Sequence, residues 1–588
     1  MRQFLKYVLA TVVGIFLFSV VMFFIFVGVG SMLSSSSDDA VEVKANSVLK
    51  IDLNTTITEQ ATKDDPFDEI FASGEKKSSL HEIKAAIANA KLDPNIKGIS
   101  IKLETPMAGF AEIEELRNVL IDFKKSGKFV YTYAEIMTEK AVYLASVATK
   151  SFINPAGGIE FNGLETQVSF MKGLFDKIGV KPVIFRVGEF KSAVEPFIRT
   201  DMSPENKMQV KAYLTSISNH VYNNIAASRG LSRAEVDNIL NKALIQEPED
   251  AVKYKILTDV GYEDEYEAAI SKALGLKKDE KPDYVKLGSY KKAKKYVKEG
   301  SRDNRIAVII ADGEIVSGDA ENEIISSEAF IKELRKARKD KKIKAIVLRI
   351  NSPGGSALAS DVMWREIQLT KKEKPVIASM GDVAASGGYY MAMGCDTIVA
   401  QPTTITGSIG IFGMLFNAKE LMNNKLGITF DGVKTHEFAD SPALTREMSD
   451  AEKMMIQNSV NRGYEKFTSK AATGRHMPID KLKAIASGRV WTGEQARQNG
   501  LVDILGGIDD AIKVAAKKAK IKGDDYQVKF YPYPKSEFEQ IMSKFGKSQE
   551  DAKIREYLGA LAPYAEEIKS IQRMEKLQAR LPYSLEIK

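Results

Sequence analysis

A serine, a lysine and two glycine pairs are the residues of this chain best placed to do chemistry. Gly381 to Ala392 reads GDVAASGGYYMA: a strand ends, small residues turn, and a helix begins near Ser386. A serine at such a junction sits beside unpaired amides and the positive end of a helix dipole, so a nucleophile and an oxyanion hole can share the spot. The amide of Gly387, which follows the serine, then points at developing negative charge. Upstream, Asn351-Ser-Pro-Gly-Gly355 also closes a strand, and a glycine pair lets backbone amides approach a ligand closely. Gly355 is therefore the candidate second donor. Ala384 stands where a G-x-S-x-G elbow would carry glycine, so the serine motif alone is equally compatible with a tightly packed turn.

A serine hydroxyl needs a base. Of the four histidines, His436 is the one near a motif that recurs in the chain, whereas His81, His220 and His476 lie in polar stretches and read as surface residues. The other candidate is Lys191, in GEFKSAVEPF. To act as a base near pH 7 its pKa must fall by roughly three units from about 10.4. Val187, Phe190, Val194 and Phe197 supply apolar surroundings for that, and Glu189 and Glu195 must then face away from the ammonium.

These residues sit in a module used twice. At an offset of 247, IKGISIKLETPMAG from Ile96 lies against IKAIVLRINSPGGS from Ile343, and KFVYTYAEIMTEKAVYLA from Lys128 against PVIASMGDVAASGGYYMA from Pro375. Short β-branched runs such as Ile346 to Ile350 and Val376 to Ser379 alternate with helical stretches such as Ser360 to Thr370, which predicts βαβ units around a buried parallel sheet. The copies are expected over about 47–273 and 304–519, with a lysine-rich connector over 274–303 and a helical tail over 520–588. Tyr284 to Lys298 carries six lysines and no acid and reads as a solvated helical connector, with contact to anionic lipid as the alternative. In the first copy, Met107, Ala108 and Glu139 occupy the positions of Gly354, Gly355 and Ser386. In the second, Ala439 occupies the position of Lys191. Each copy thus keeps what the other lacks, as expected if Lys191 and Ser386 meet between the two.

At 588 residues and 44% hydrophobic, the chain is long enough for two or three domains and too apolar for disorder. The balance of 84 basic against 78 acidic residues, net +6, singles out no nucleic-acid partner, and one cysteine, Cys395, excludes an intramolecular disulfide. Tyr7 to Met32 holds 26 residues without a charge, more than the roughly 20 that span a bilayer. Arg2 and Lys6 precede it and Asp38, Asp39 and Glu42 follow, so the positive-inside bias places residues 1–46 as a cytoplasmic stub, transmembrane anchor and linker, with the body on the far side. A cleaved secretory signal is the alternative.

As a set, GEFKSA, INSPGG, ASGGYYMA, TGSIGIFG (406–413) and GRVWTGEQARQNGLVD (488–503) resemble the signal peptide peptidase A family, membrane-anchored Ser/Lys proteases of bacteria, in its long, internally duplicated form. The resemblance covers nearly the whole chain after the anchor. It implies an α/β fold with two tandem crotonase/ClpP-like repeats behind a single N-terminal transmembrane helix. It also implies Ser386 as nucleophile, Lys191 as general base, amides near Gly355 and Gly387 as oxyanion hole, and Ser408 as the hydroxyl that orients the lysine. No metal or cofactor is implied. The expected partners are hydrophobic peptides left from signal sequences, the lipid bilayer, and three further copies in a homotetramer, with the body on the periplasmic side of the bacterial inner membrane. A crotonase-type acyl-thioester enzyme and a non-catalytic membrane scaffold are the competing readings; neither needs Lys191 beside Ser386.

Overall fold

The computed structural model describes residues 2–35, 41–59, 77–277, 280–318, 324–532, 577–581 and 587. Arg2–Ser35 is one helix of 34 residues. Its side chains beyond residue 22 lie outside the described residues, and among the described residues no helix is long and apolar enough to cross a membrane.

The β-branched runs form two parallel sheets. In the first, the strands are ordered Asp259–Val260, Lys150–Ile159, Phe129–Met137, Ile96–Lys102, Ser47–Asp52 and Tyr284–Lys286. In the second the order is Val490–Thr492, Ile405–Gly407, Val376–Ala385, Ile343–Ser352, Arg305–Asp312 and Gln527–Tyr531; only Val490–Thr492 runs antiparallel to its neighbour. Both sheets carry a register slip at the same place. Ser47 pairs Ile96 and Val48 pairs Gly98, while Arg305 pairs Ile343 and Ile306 pairs Ala345. The central strand Ile343–Ser352 is buried along nearly its whole length, which explains why it reads as a continuous apolar run rather than an alternating one.

The third sheet draws on both repeats. Its order is Ile324–Ser326, Glu314–Val316, Gly354–Ser356, Gln578–Arg580, Phe412–Asn417 and Lys181–Arg186. The six-residue pairing of Lys181–Arg186 with Phe412–Asn417 joins the chain just before Lys191 to the second repeat. A second tie is polar. Helix Phe110–Lys124 begins at Gly109, which has no side chain to cap it, and Asp382 of the second repeat does so instead, accepting from the amides of Gly109 (2.7 Å), Ala111 (2.9 Å) and Glu112 (3.1 Å).

One expectation is corrected here, and a second, the helical tail, falls largely outside the described residues. The lysine-rich stretch is not a solvated helix: Tyr284–Lys286 is an edge strand of the first sheet, followed by a single helical turn whose Tyr290 is fully buried. In the tail the described segments are strands, Gln527–Tyr531 on the second sheet and Gln578–Arg580 in the third, while 533–576 lies outside the described residues.

Candidate active site

Ser386 ends the strand Val376–Ala385 and heads the helix Gly387–Ala392. Its backbone is left-handed (φ +53°), a conformation unusual for serine, and is held by Ser386 N donating to Gly407 O and Tyr390 N donating to Ser386 O, both at 2.8 Å. Lys191 comes from the first repeat, where Gly188 (φ +98°) turns the chain after Lys181–Arg186. Its Nζ lies 2.9 Å from Ser386 Oγ, 3.0 Å from Ser408 Oγ and 3.3 Å from Ser408 O. All three residues are fully buried.

Burial pushes the Lys191 ammonium down to about 7, and among the described residues no carboxylate opposes it. The carboxylate of Glu195 is occupied elsewhere: it accepts from Ser203 N (3.1 Å), Ser203 Oγ (2.6 Å) and Asn206 Nδ2 (3.0 Å), and Glu189 is exposed. Both face away, as the chemistry requires. A neutral amine has two N–H bonds and one lone pair. Ser408 O can only accept, so one N–H goes there. With the second N–H on Ser408 Oγ the lone pair faces the Ser386 hydroxyl, the arrangement needed to take its proton.

The glycines of the quoted motifs build the sleeve around this lysine, a role the sequence did not announce. A Cβ on Gly488 would sit 2.6 Å from Lys191 Cβ, and one on Gly410 would sit 3.2 Å from Lys191 Cδ. Gly488 also has φ +78°. Gly488→Ala is therefore expected to shift the lysine backbone and lower kcat/KM by about 10²-fold, whereas Gly410→Ala, whose Cβ would stand 2.9 Å from Gly488 Cα and reaches the lysine only at Cδ, should lose less than Gly488→Ala. Steady-state kinetics of the two variants check the ranking. Gln209, likewise missed, ties the lysine loop across the repeats: its Nε2 donates to Phe190 O (3.1 Å) and Ser192 Oγ (2.9 Å), and its Oε1 accepts from Val490 N (3.2 Å).

The remaining expected donors lie beside the serine. Gly354 has φ +99°, and a Cβ there would come within 2.7 Å of Gly387 N, so the Gly354-Gly355 turn and the amide after Ser386 are in direct apposition. In the first repeat, Glu139 heads the helix Glu139–Ala145 where Ser386 heads its own, and it accepts from Asn162 N (3.0 Å), Gly163 N (2.7 Å) and Tyr222 Oη (2.9 Å). That copy of the pocket is filled.

His436 is exposed and bonded to Thr435 Oγ1 at 3.1 Å, so the structure does not bring it to Ser386. Of the other three histidines, His476 is exposed as expected, whereas His81 and His220 are half-buried. His81 lies 3.6 Å from the Phe530 ring, between centroids, and His220 Nε2 is 2.7 Å from Glu114 Oε1. Helical periodicity could not show the partners that draw them in.

Residues 122–277 and 368–522 match the family model of Peptidase family S49, once in each repeat, and residues 298–423 match that of Clp protease. The chain belongs to peptidase family S49. It is 37% identical over 486 residues to "Serine protease SPPA, chloroplastic" of Arabidopsis thaliana, covering 82% of this chain and 70% of that one. To "Protease 4" of Salmonella typhi it is 35% identical over 520 residues, 85% of this chain and 83% of the other. To "Putative signal peptide peptidase SppA" of Enterococcus faecium it is 33% identical over 240 residues, 40% of this chain and 69% of the other. The S49 chain is thus a serine peptidase with a mixed α/β fold built from S49/ClpP-like repeats.

Proposed function

We propose that this S49 peptidase is a membrane-anchored endopeptidase that uses a Ser386/Lys191 dyad to degrade cleaved signal peptides and other hydrophobic peptides. The observation that carries the proposal is the 2.9 Å approach of Lys191 Nζ to Ser386 Oγ, with the lysine buried and held near neutrality. In acylation the Lys191 lone pair takes the Ser386 proton as Oγ attacks a peptide carbonyl, and the same proton goes to the leaving amine. The amides of Gly355 and Gly387 stabilise the oxyanion, and Ser408 keeps the amine aimed at the serine. Water then attacks the ester with Lys191 as base again. An acyl-thioester enzyme or a scaffold gives no reason for a desolvated lysine on a strained serine.

The substrate class rests on the name of the Enterococcus relative, a signal peptide peptidase, and on the apolar character of signal sequences. For the anchor, the support is the 26-residue uncharged stretch inside a 34-residue helix, whose Phe4, Tyr7, Val12, Ile15, Phe16, Leu17 and Phe18 are exposed. With Arg2 and Lys6 ahead of it, the body lies on the outer face of the inner membrane; a homotetramer follows the family resemblance.

The test is hydrolysis of a fluorogenic apolar peptide by the detergent-solubilised full chain. Wild type is expected to turn over, and Ser386→Ala to lose at least about 10³-fold in kcat while keeping its circular dichroism and Tm. A Ser386→Ala variant with residual turnover above a tenth of wild type would remove the serine from the chemistry.

A further inference from the structure

The lysine-rich stretch has no part in the chemistry, yet it is tightly built into the fold. Tyr284 to Lys298 carries Lys286, Lys291, Lys292, Lys294, Lys295 and Lys298 and no acidic residue. Its backbone and its aromatic side chains hold it to the first repeat. Tyr290, fully buried, donates its hydroxyl to Asp93 Oδ2 (3.0 Å), while Asn89 takes Tyr296 N on its Oδ1 (2.6 Å) and donates from its Nδ2 to Lys294 O (3.0 Å). The lysines are left outside. Lys286, Lys292, Lys294, Lys295 and Lys298 are all exposed, and among the described residues none of them makes an ion pair, whereas Lys291 is paired with Glu82 at 2.9 Å. The acids that flank the stretch are engaged elsewhere: Asp283 Oδ1 lies 3.0 Å from Lys44 Nζ, and Glu299 Oε2 accepts from Gln527 Nε2 (2.8 Å). Like charges this close repel one another unless an anionic surface meets them.

The same edge receives the chain from its N-terminal helix. Tyr284–Lys286 pairs with Val48–Lys50, Val48 N donates to Asp283 O (2.9 Å), and just ahead Val43 O accepts from Asn95 Nδ2 (3.0 Å). Helix Arg2–Ser35 ends eight residues before Val43, a reach of at most about 28 Å. The lysines therefore adjoin the point at which the body is tied to its anchor. Far along the sequence from that helix, they lie outside the flanks on which the positive-inside bias is counted, so they do not oppose export of the body. Val297, 44% exposed among them, adds an apolar side chain of the kind that enters the boundary between headgroups and acyl chains.

We infer that the face over 286–298 is a membrane-contact surface whose lysines engage the phosphates of anionic phospholipids beside the anchor, a reading that rests on the membrane anchoring proposed above. A bilayer is the anionic surface that suits this face, because the anchor holds it within reach at all times. Tethering supplies a high effective concentration, so lysine contacts that are weak one by one act together. Contact here also fixes which edge of the first sheet faces the bilayer.

The test uses the full chain reconstituted in liposomes of phosphatidylcholine alone or mixed equally with phosphatidylglycerol. Val297→Cys carries a fluorophore on this face, since the natural Cys395 is buried, and spin-labelled phosphatidylcholine in the bilayer quenches it on contact. Flotation on a density gradient reports the anchor separately. Quenching is expected to be about threefold greater with phosphatidylglycerol, and to fall to the phosphatidylcholine level in about 0.5 M NaCl. The same fall is expected when Lys286→Gln, Lys292→Gln, Lys294→Gln and Lys298→Gln are combined, with hydrolysis of the apolar peptide kept within twofold of wild type as the check that the fold is intact. A chain that floats but is quenched equally in both liposomes, or equally with and without the four lysines, overturns the contact surface and leaves the anchor standing. A label that responds to soluble polyphosphate and not to phosphatidylglycerol assigns the face to a soluble anion and overturns the lipid reading. A chain that does not float removes the anchor and this surface together.

Discussion

Lys191→Met is expected to abolish peptide hydrolysis, by at least about 10³-fold in kcat/KM, and to make the protein more stable at neutral pH. The activity loss follows from geometry, since among the described residues no other titratable group shares the Ser386 hydroxyl with Lys191 Nζ. The stability gain follows from the sign of the linkage. Burial lowers Lys191 from 10.5 to about 7 in the folded chain. Between those values the unfolded chain binds a proton that the native chain does not, so native stability falls as pH drops from about 10.5 to 7 and levels off below. At one pKa unit per 1.36 kcal/mol the lysine costs the fold roughly 4–5 kcal/mol at pH 7, of which an apolar side chain of like length recovers a part, less the bonds lost to Ser408. Thermal unfolding should therefore show Lys191→Met above wild type at pH 7, with the gap closing towards pH 10.5. In the wild type, kcat/KM should rise with pH through an inflection near 7 and level off above it, because the free base is the working form. A flat profile, or a variant less stable than wild type at pH 7, would contradict a neutral buried lysine.

Both halves of that dyad were legible in the sequence because the chain repeats itself. The offset of 247 placed Ser386 opposite Glu139, and the lysine motif stood in one copy only. What could not be read is the sheet that brings them together. Its strands are as short as three residues, too short for periodicity, and Lys181–Arg186 finds its partner more than 220 residues away. The lysine-rich stretch was misread for a related reason. Tyr284–Lys286 joins the first sheet through its backbone, which its side-chain charges do not report. Gly410 and Gly488 look like ordinary turn glycines until Lys191 from the other repeat packs against them both. Arg349, embedded in IKAIVLRI, gives no sign from its own neighbours that it is a large, fully buried charge at the junction of the repeats.

Arg349→Met is the second large effect expected, and it acts through that junction. Arg349 is 1% exposed and belongs to the second repeat, but its guanidinium holds two carboxylates of the first: Nη2 and Nε lie 2.6 and 2.7 Å from Glu59 Oε1, and Nη1 lies 2.8 Å from Glu115 Oε1. It also donates to Ser379 Oγ and Met380 O, both at 3.1 Å. Burial would raise Glu115, yet Arg349 and Lys84 hold it down at about 2, so this carboxylate is ionised and depends on its cations. Glu112 feels Arg349 less than it feels its surroundings: burial, with Asp382 and Glu59 beside it, pushes it well above its ordinary value. Removing Arg349 leaves Glu59 and Glu115 buried with Lys84 as the near cation for Glu115 alone, a loss of about 3–5 kcal/mol. Because an intact ion cluster is often no more stable than a well-packed apolar one, Arg349→Met combined with Glu59→Gln and Glu115→Gln should regain a large part of that loss. Denaturant unfolding of the single and triple variants measures the difference, and a single variant within 1 kcal/mol of wild type would show the cluster to be idle. Peptide hydrolysis should fall with the single variant too, although Arg349 touches no reacting atom, since the lysine and the serine of this site reach each other only while the two repeats stay docked.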